Sequence, residues 1–303
     1  MNFTKPPLTL EEQADLLLAR GMVGDRNFIV ERLAVVNYYR LSGYWYPFRN
    51  PDDTFQVGTS FEIVWRRYTF DRQLRLQVMD TIERFEVAVR TLLAYQHAHS
   101  NSPFAYAETK DSLPGKSLVT WEEFVRMVEK EKDHSQEIFV QHFKDTYGDC
   151  HLHLPVWMAT EIMSFGNLLT FFKRSTECIK QAVAAKFSVP SLVFESWFLA
   201  LNTIRNICAH HSRLWDRKLR SKPFIPYAYK YPAWHKPVSI PNNSIFTILT
   251  ISRYCLAQIA PQSNWPSRLF RLLDAYPDIP LGAMGFPDNW QECPIWREVG
   301  HGG

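Results

Sequence analysis

The sequence predicts an all-α fold, and three observations predict it. Apolar residues recur at three- and four-residue intervals over long stretches, no run reads as a convincing strand, and glycine is scarce at 12 in 303 residues. Hydrophobic residues make up 46% of the chain and aromatics 15%. That is enough for a sizeable core and excludes a disordered or fibrous chain.

The elements follow in order. Thr9 ahead of Glu11 and Glu12 starts a helix over residues 8–20 that Gly21 ends, and a second short helix fits Asp25 to Val36. The stretch NYYRLSGYWYPFRNPDDTF, broken by Gly43, Pro47 and Pro51, predicts irregular chain or a short strand pair. From Ser60 to about His99 the pattern is strongly helical, with Val78, Ile82, Phe85, Val89, Leu92 and Leu93 in register and a break expected near Tyr68. Asp71 with Arg75, Asp80 with Arg84, and Glu86 with Arg90 are i,i+4 pairs in the favoured acid-first order.

Pro103 to Gly115 reads as a loop, and helices are expected over Thr120–Lys132 and Gln136–Tyr147. Residues 155–173 and 175–186 continue the helical pattern, and Pro190 allows a fresh start. Between Ser191 and His211, Phe194, Trp197, Phe198, Leu201, Ile204 and Cys208 form an apolar stripe. A charge-dense segment, SRLWDRKLRSK, and a proline- and aromatic-rich stretch follow, before helices over Ser244–Ala260 and Ser267–Tyr276. There is no internal repeat. The expected division is an N-terminal helical and aromatic segment (1–59), a helical domain (60–222) and an irregular-plus-helical extension (223–303).

Charge and cysteines narrow the setting. Lys and Arg number 34 against 31 Asp and Glu, a formal charge of +3. That is too little to announce a nucleic-acid binder, so any basic patch is local. Five scattered cysteines without a CxxC pair suit a reducing cytoplasm. The start of the chain lacks a basic-then-apolar leader, and no stretch approaches the ~18 apolar residues of a membrane span. A cytoplasmic protein away from membranes is the expectation.

The densest chemistry lies in RNICAHHSRLW, residues 205–215. Cleavage of RNA needs a proton taken from the 2′-hydroxyl and one given to the leaving 5′ oxygen, which imidazole manages near neutral pH. It also needs a cation for the charge gathering on the phosphorane, which guanidinium supplies. His210 and Arg205 have these groups. Asn206 and His210 lie one turn apart on one helix face, where the amide can orient the ring, while Arg205 points about 140° away from His210 on a regular helix. One copy therefore converges poorly on a phosphate unless the helix distorts or two copies share a cleft. The plainer alternative has Arg205 paired with a carboxylate and His210 and His211 simply ending a helix. Spacing does not decide between them.

RNICAHHSRLW resembles the signature of abortive-infection proteins that carry a HEPN-type ribonuclease domain: Arg, a polar residue, three residues, then His. Arg205, Asn206 and His210 match it. Further resemblance lies in RGM (20–22), NYYRLSGYWYPF (37–48), YTFDRQLR (68–75), IERFEVAVR (82–90) and PVWMATEIMSFG (155–166), covering roughly residues 8–226. The resemblance implies a HEPN-like helical bundle and phage defence or toxin-like activity. The implied reaction is metal-independent endoribonuclease cleavage that leaves a cyclic phosphate and needs no cofactor, with RNA as substrate and a homodimer whose two motifs face one another. An antitoxin protein or a small inhibitory RNA would keep such a chain silent. A different class stays open, a non-catalytic RNA-binding or partner-sensing module.

Supporting roles are expected for His211 and for Glu83, Glu86 and Arg90, the last three structural or holding Arg205 in place. Arg213, Arg217, Lys218, Arg220 and Lys222, opposed by Asp216, could grip RNA phosphates or be a solvated face. Trp215, Tyr227, Tyr229, Tyr231 and Trp234 could stack on bases or pack a loop. Cys150, His151 and His153, with His142, lack the fourth ligand and ordered spacing of a zinc site, and His97 and His99 fare no better. No metal site is expected.

Overall fold

Local capping chemistry and the burial of apolar stripes together set the helix boundaries. The computed structural model describes residue 2 and residues 6–297, and among them holds thirteen α-helices and no strand. Two compact units divide the chain: Met1–Arg75 with Leu269–Ile279, and Leu76–Arg268 with Pro280–Gly303.

In the first unit Thr9 and Glu12 cap α1 (Leu10–Ala19) reciprocally, and Asp25 caps α2 (Arg26–Val35) through the Phe28 N–H. The aromatic stretch that follows corrects the expectation in its first part, which forms a helix, α3 (Tyr38–Trp45), and a 3-10 turn over Tyr46–Phe48. Residues 49–55 are irregular chain, as expected, with an isolated antiparallel bridge between Arg49 and Phe55. Asn37 caps α3 by accepting from the Tyr39 N–H at 2.8 Å. Burial of Leu41, Tyr44 and Trp45 at helical spacing outweighs the roughly 1 kcal/mol that an interior Gly43 costs.

The next helix, α4 (Phe61–Ser100), runs 40 residues without the break expected near Tyr68. The pattern looks interrupted because two positions on its buried face are charged: Asp71 and Arg75 both lie inside, between Val64 and Val78. Arg75 Nη1 donates to Asp71 Oδ2 at 2.6 Å, and the Tyr44 hydroxyl donates to the same oxygen at 2.7 Å. Burial and then the Asp71 charge push the Tyr44 phenol far above its ordinary pKa, so it remains a donor. The other two acid-first pairs also form, Asp80 with Arg84 at 3.3 Å and Glu86 with Arg90 at 2.7 Å.

In the second unit the short α5 (Ala105–Glu108) interrupts the expected loop, and α6 (Trp121–His134) and α7 (Ile138–Tyr147) follow close to their expected places. Residues 155–173 make two helices, α8 (Val156–Ile162) and α9 (Phe165–Arg174). Ser164 caps α9, and Glu131 Oε1 accepts from the Ser164 N–H and the Asn167 amide at 3.1 and 2.9 Å, satisfying the break. Then come α10 (Glu177–Ala185), α11 (Ser191–Ala209) and α12 (Ile245–Ile259), and α13 (Trp265–Ala275), whose residues from Leu269 on belong to the first unit. α12 is buried at every residue from Ile245 to Ser252. Its Ser252 accepts from Thr81 at 3.1 Å and its Thr250 from the Trp296 indole at 3.0 Å. The C-terminal stretch thus supplies a core helix. None of the described helices is long and apolar enough to cross a membrane.

His97, near the end of α4, is fully buried against the rings of Phe171 at 5.2 Å and Tyr106 at 6.5 Å. Burial lowers its pKa to about 4. The unfolded chain, with a value of about 6.5, therefore takes up the proton first. Stability is full above about pH 6.5 and is lost as the pH falls through 4.

Two measurements check these buried polar groups. Asp71→Ala removes the carboxylate that the buried Arg75 guanidinium pairs with and is expected to cost about 3–5 kcal/mol, against about 1 kcal/mol for Tyr44→Phe; urea denaturation should return that ranking, and equal losses would contradict it. Between pH 7 and pH 4 the chain should lose roughly 3 kcal/mol through His97 alone. His97→Leu should flatten that slope in thermal melts, and an unchanged slope would assign the acid sensitivity elsewhere.

Candidate functional site

The motif sits at the end of α11, and the apolar stripe of that helix decides which way it faces. Phe194, Trp197, Phe198, Leu201, Ile204 and Cys208 are buried. Phe194 stacks on Phe85 at 5.5 Å and meets Phe172 at 5.1 Å and Phe187 at 4.9 Å, and Phe198 meets Phe165 at 5.0 Å. Each buried ring contributes about 2 kcal/mol, more than any exposed ion pair offers. With that face fixed, Asn206 and His210 are exposed and Arg205 is half-buried.

α11 remains continuous to Ala209, so helix distortion is not what draws the motif together. Instead the Arg205 guanidinium turns to its neighbour, and Nη1 donates to Asn206 Oδ1 at 3.4 Å. The amide oxygen is thus used by Arg205, while His210 is linked to Asn206 through the backbone, its N–H donating to the Asn206 carbonyl at 3.0 Å. Cation and amide are thus paired, and the imidazole follows on the exposed end of the same helix.

The helix ends in a Schellman arrangement. The His211 N–H donates to the Cys208 carbonyl at 2.9 Å and the Ser212 N–H to the Ile207 carbonyl at 3.0 Å, with His211 left-handed at φ 55°. That position usually belongs to glycine. A histidine there leaves His211 exposed, as His210 is, at the cost of backbone strain.

The remaining sequence candidates separate. Arg90 is buried, pairs with Glu86 and donates to the Thr160 carbonyl, tying α4 to α8. Glu83 is exposed. Among the described residues the side-chain partner of Arg205 is Asn206, so this acidic and basic group is not brought to the motif. Arg213 and Arg217 are half-buried, with Arg217 Nε donating to the Arg213 carbonyl at 2.9 Å, whereas Lys218, Arg220 and Lys222 are exposed. Trp215 and Trp234 are buried, which removes them as stacking surfaces, while Tyr227 and Tyr229 stand in solvent. His153 bonds Glu129 at 2.8 Å and His151 stacks on Phe104 at 4.4 Å. Among the described residues no group of three His, Cys, Asp or Glu is placed to hold a metal ion. The left-handed His211 had no sequence signal beyond its place just after the helical stripe.

A family model described as Abi-like protein matches residues 31–216, more than half of the chain. The match includes the whole of RNICAHHSRLW. Comparison with curated proteins and with solved structures gave no match.

The strained turn gives a direct expectation. His211→Gly should be at least as stable as the parent, and His211→Val should lose about 1–2 kcal/mol, since a β-branched residue tolerates the left-handed region worst. Thermal melts that rank valine level with glycine would mean that the turn relaxes.

Proposed function

The chain belongs to the Abi-like protein family, which suggests a role in abortive infection or phage defence, and on that premise we propose that it is an endoribonuclease working through Arg205, Asn206 and His210 without a metal ion. One observation carries the reading. Arg205, held by the Asn206 amide, and the exposed His210 imidazole share the end of one helix whose other face is locked in the core.

The chemistry follows from these groups. The 2′-hydroxyl oxygen attacks the adjacent phosphorus, its proton passes to the neutral His210 imidazole, and the P–O5′ bond breaks. The 5′ oxygen takes a proton from the imidazolium, leaving a 2′,3′-cyclic phosphate. Arg205 stabilises the charge on the phosphorane oxygens, and Asn206 restrains the guanidinium. Arg205 of one copy serves the same phosphate as His210 of the other in a homodimer, because Arg205 and His210 leave a regular helix about 140° apart and an isologous contact needs only one self-complementary patch.

Purified full-length protein is incubated with total RNA in excess chelator. Cyclic-phosphate ends are expected from the parent, and Arg205→Ala and His210→Ala should each abolish cleavage while melting near the parent temperature, since neither side chain is buried. An equimolar mixture of the two variants should recover partial activity across the dimer. Cleavage that requires a divalent ion, or that survives both substitutions, would sink the mechanism. Binding without any cleavage would favour a non-catalytic RNA-binding module.

A further inference from the structure

Between Arg205 and Lys236 the chain carries eight Lys or Arg and one acid, Asp216, while the whole chain has a formal charge of only +3. The remainder is therefore net acidic, and positive potential concentrates on this stretch. Its Lys218, Arg220 and Lys222 are exposed.

The stretch also has a direction. After α11 ends, the chain turns back along it. The Phe224 N–H donates to Ser196 Oγ at 2.9 Å, and the Trp197 indole donates to the Phe224 carbonyl at 2.8 Å. Residues 212–223 thus lead from the motif to a point two helical turns before Arg205, roughly 12 Å along the axis.

At that anchor begins a loop carrying Tyr227 and Tyr229, which are 70% and 78% exposed. Their rings stack at 6.1 Å and 28°, and Lys230 Nζ lies 5.7 Å from the centre of the Tyr229 ring. The loop closes on the same helix. Trp234 packs on Trp197 at 5.1 Å, and His235 Nε2 contacts the Pro226 carbonyl at 2.7 Å. Trp215 and Trp234 in the same stretch are buried, so aromatic content alone does not account for the exposed pair. A braced loop that holds two tyrosines in water, following a run of exposed cations in the chain, supplies the two parts of a single-strand binding surface, a stacking face and phosphate ligands.

We propose that Tyr227 and Tyr229 are a stacking platform for unpaired bases of a single-stranded RNA, whose phosphates lie on Lys218, Arg220 and Lys222 and whose scissile linkage reaches the Arg205–His210 end of α11; this rests on the ribonuclease reading above. Duplex RNA hides its base faces and gains nothing from the platform. The substrate class is therefore single-stranded, cut a few nucleotides away from the stacked bases.

The test reads binding apart from turnover. Full-length protein bearing His210→Ala is titrated into a labelled oligouridine of about 12 nucleotides and, separately, a blunt RNA duplex of the same length, with anisotropy as the signal. On that background Tyr227→Ala with Tyr229→Ala should weaken oligouridine binding roughly tenfold or more, and the double Phe variant should stay within about twofold of the parent. Duplex binding should not respond. Replacing Lys218, Arg220 and Lys222 by Ala should flatten the log–log salt dependence by about 2.

Unchanged oligouridine binding in the double Ala variant, an equal loss on the duplex, or no oligouridine binding at all would overturn the proposal. A parent chain that binds through the tyrosines but cuts no RNA would overturn only the ribonuclease reading. One that cuts RNA while the double Ala variant binds normally would overturn only the platform.

Discussion

The apolar stripe of α11 has to be buried, and the second unit is organised around that requirement. Phe194 and Phe198 are met by Phe85 from α4, by Phe165 and Phe172 from α9 and by Phe187 from the turn after α10. Several rings at about 2 kcal/mol each form a term of roughly 10 kcal/mol, an upper figure because the unfolded chain already hides part of this surface. It is comparable with the whole net stability of a typical domain. The helix therefore cannot rotate, and Asn206 and His210 at its end face solvent as a consequence of packing.

The stretches singled out in the sequence divide along the same line. Phe85 belongs to IERFEVAVR and Phe165 to PVWMATEIMSFG, and both serve the core beneath α11. Tyr44 belongs to NYYRLSGYWYPF and Asp71 and Arg75 to YTFDRQLR, and these three join in one buried network in the first unit. Most of these stretches are thus scaffold. RNICAHHSRLW differs because it spans both: Cys208, Leu214 and Trp215 are buried while Arg205, Asn206 and His210 remain reachable. A site on a rigid helix end is held more closely than one on a loop.

Buried charge is used sparingly and with partners. Asp71 has Arg75 and Tyr44, Arg90 has Glu86 and the Thr160 carbonyl, and Lys132 has Glu129 and the Leu152 carbonyl. Such pairs add little net stability but make alternative packings expensive, since any register that separates them leaves a bare charge inside. The exposed cations after α11 have the opposite character. Lys218, Arg220 and Lys222 stay in water, available to an anion.

The sequence by itself determined the helical class, most helix starts and the inward face of α11, because capping residues and three-to-four spacing act within a few residues of one another. It also singled out the motif. Tertiary structure alone decided the rest. The 37–48 segment is helical because Tyr44 and Trp45 find a core to enter, and α4 runs unbroken because Asp71 and Arg75 find each other and Tyr44 inside. Glycine, proline and charge in those stretches argued locally for breaks, and long-range burial outweighed them. The same holds at the site: whether an aromatic after α11 packs or stands free depends on which ring reaches Trp197. Trp234 does and is buried, while Tyr227 and Tyr229 are left in solvent.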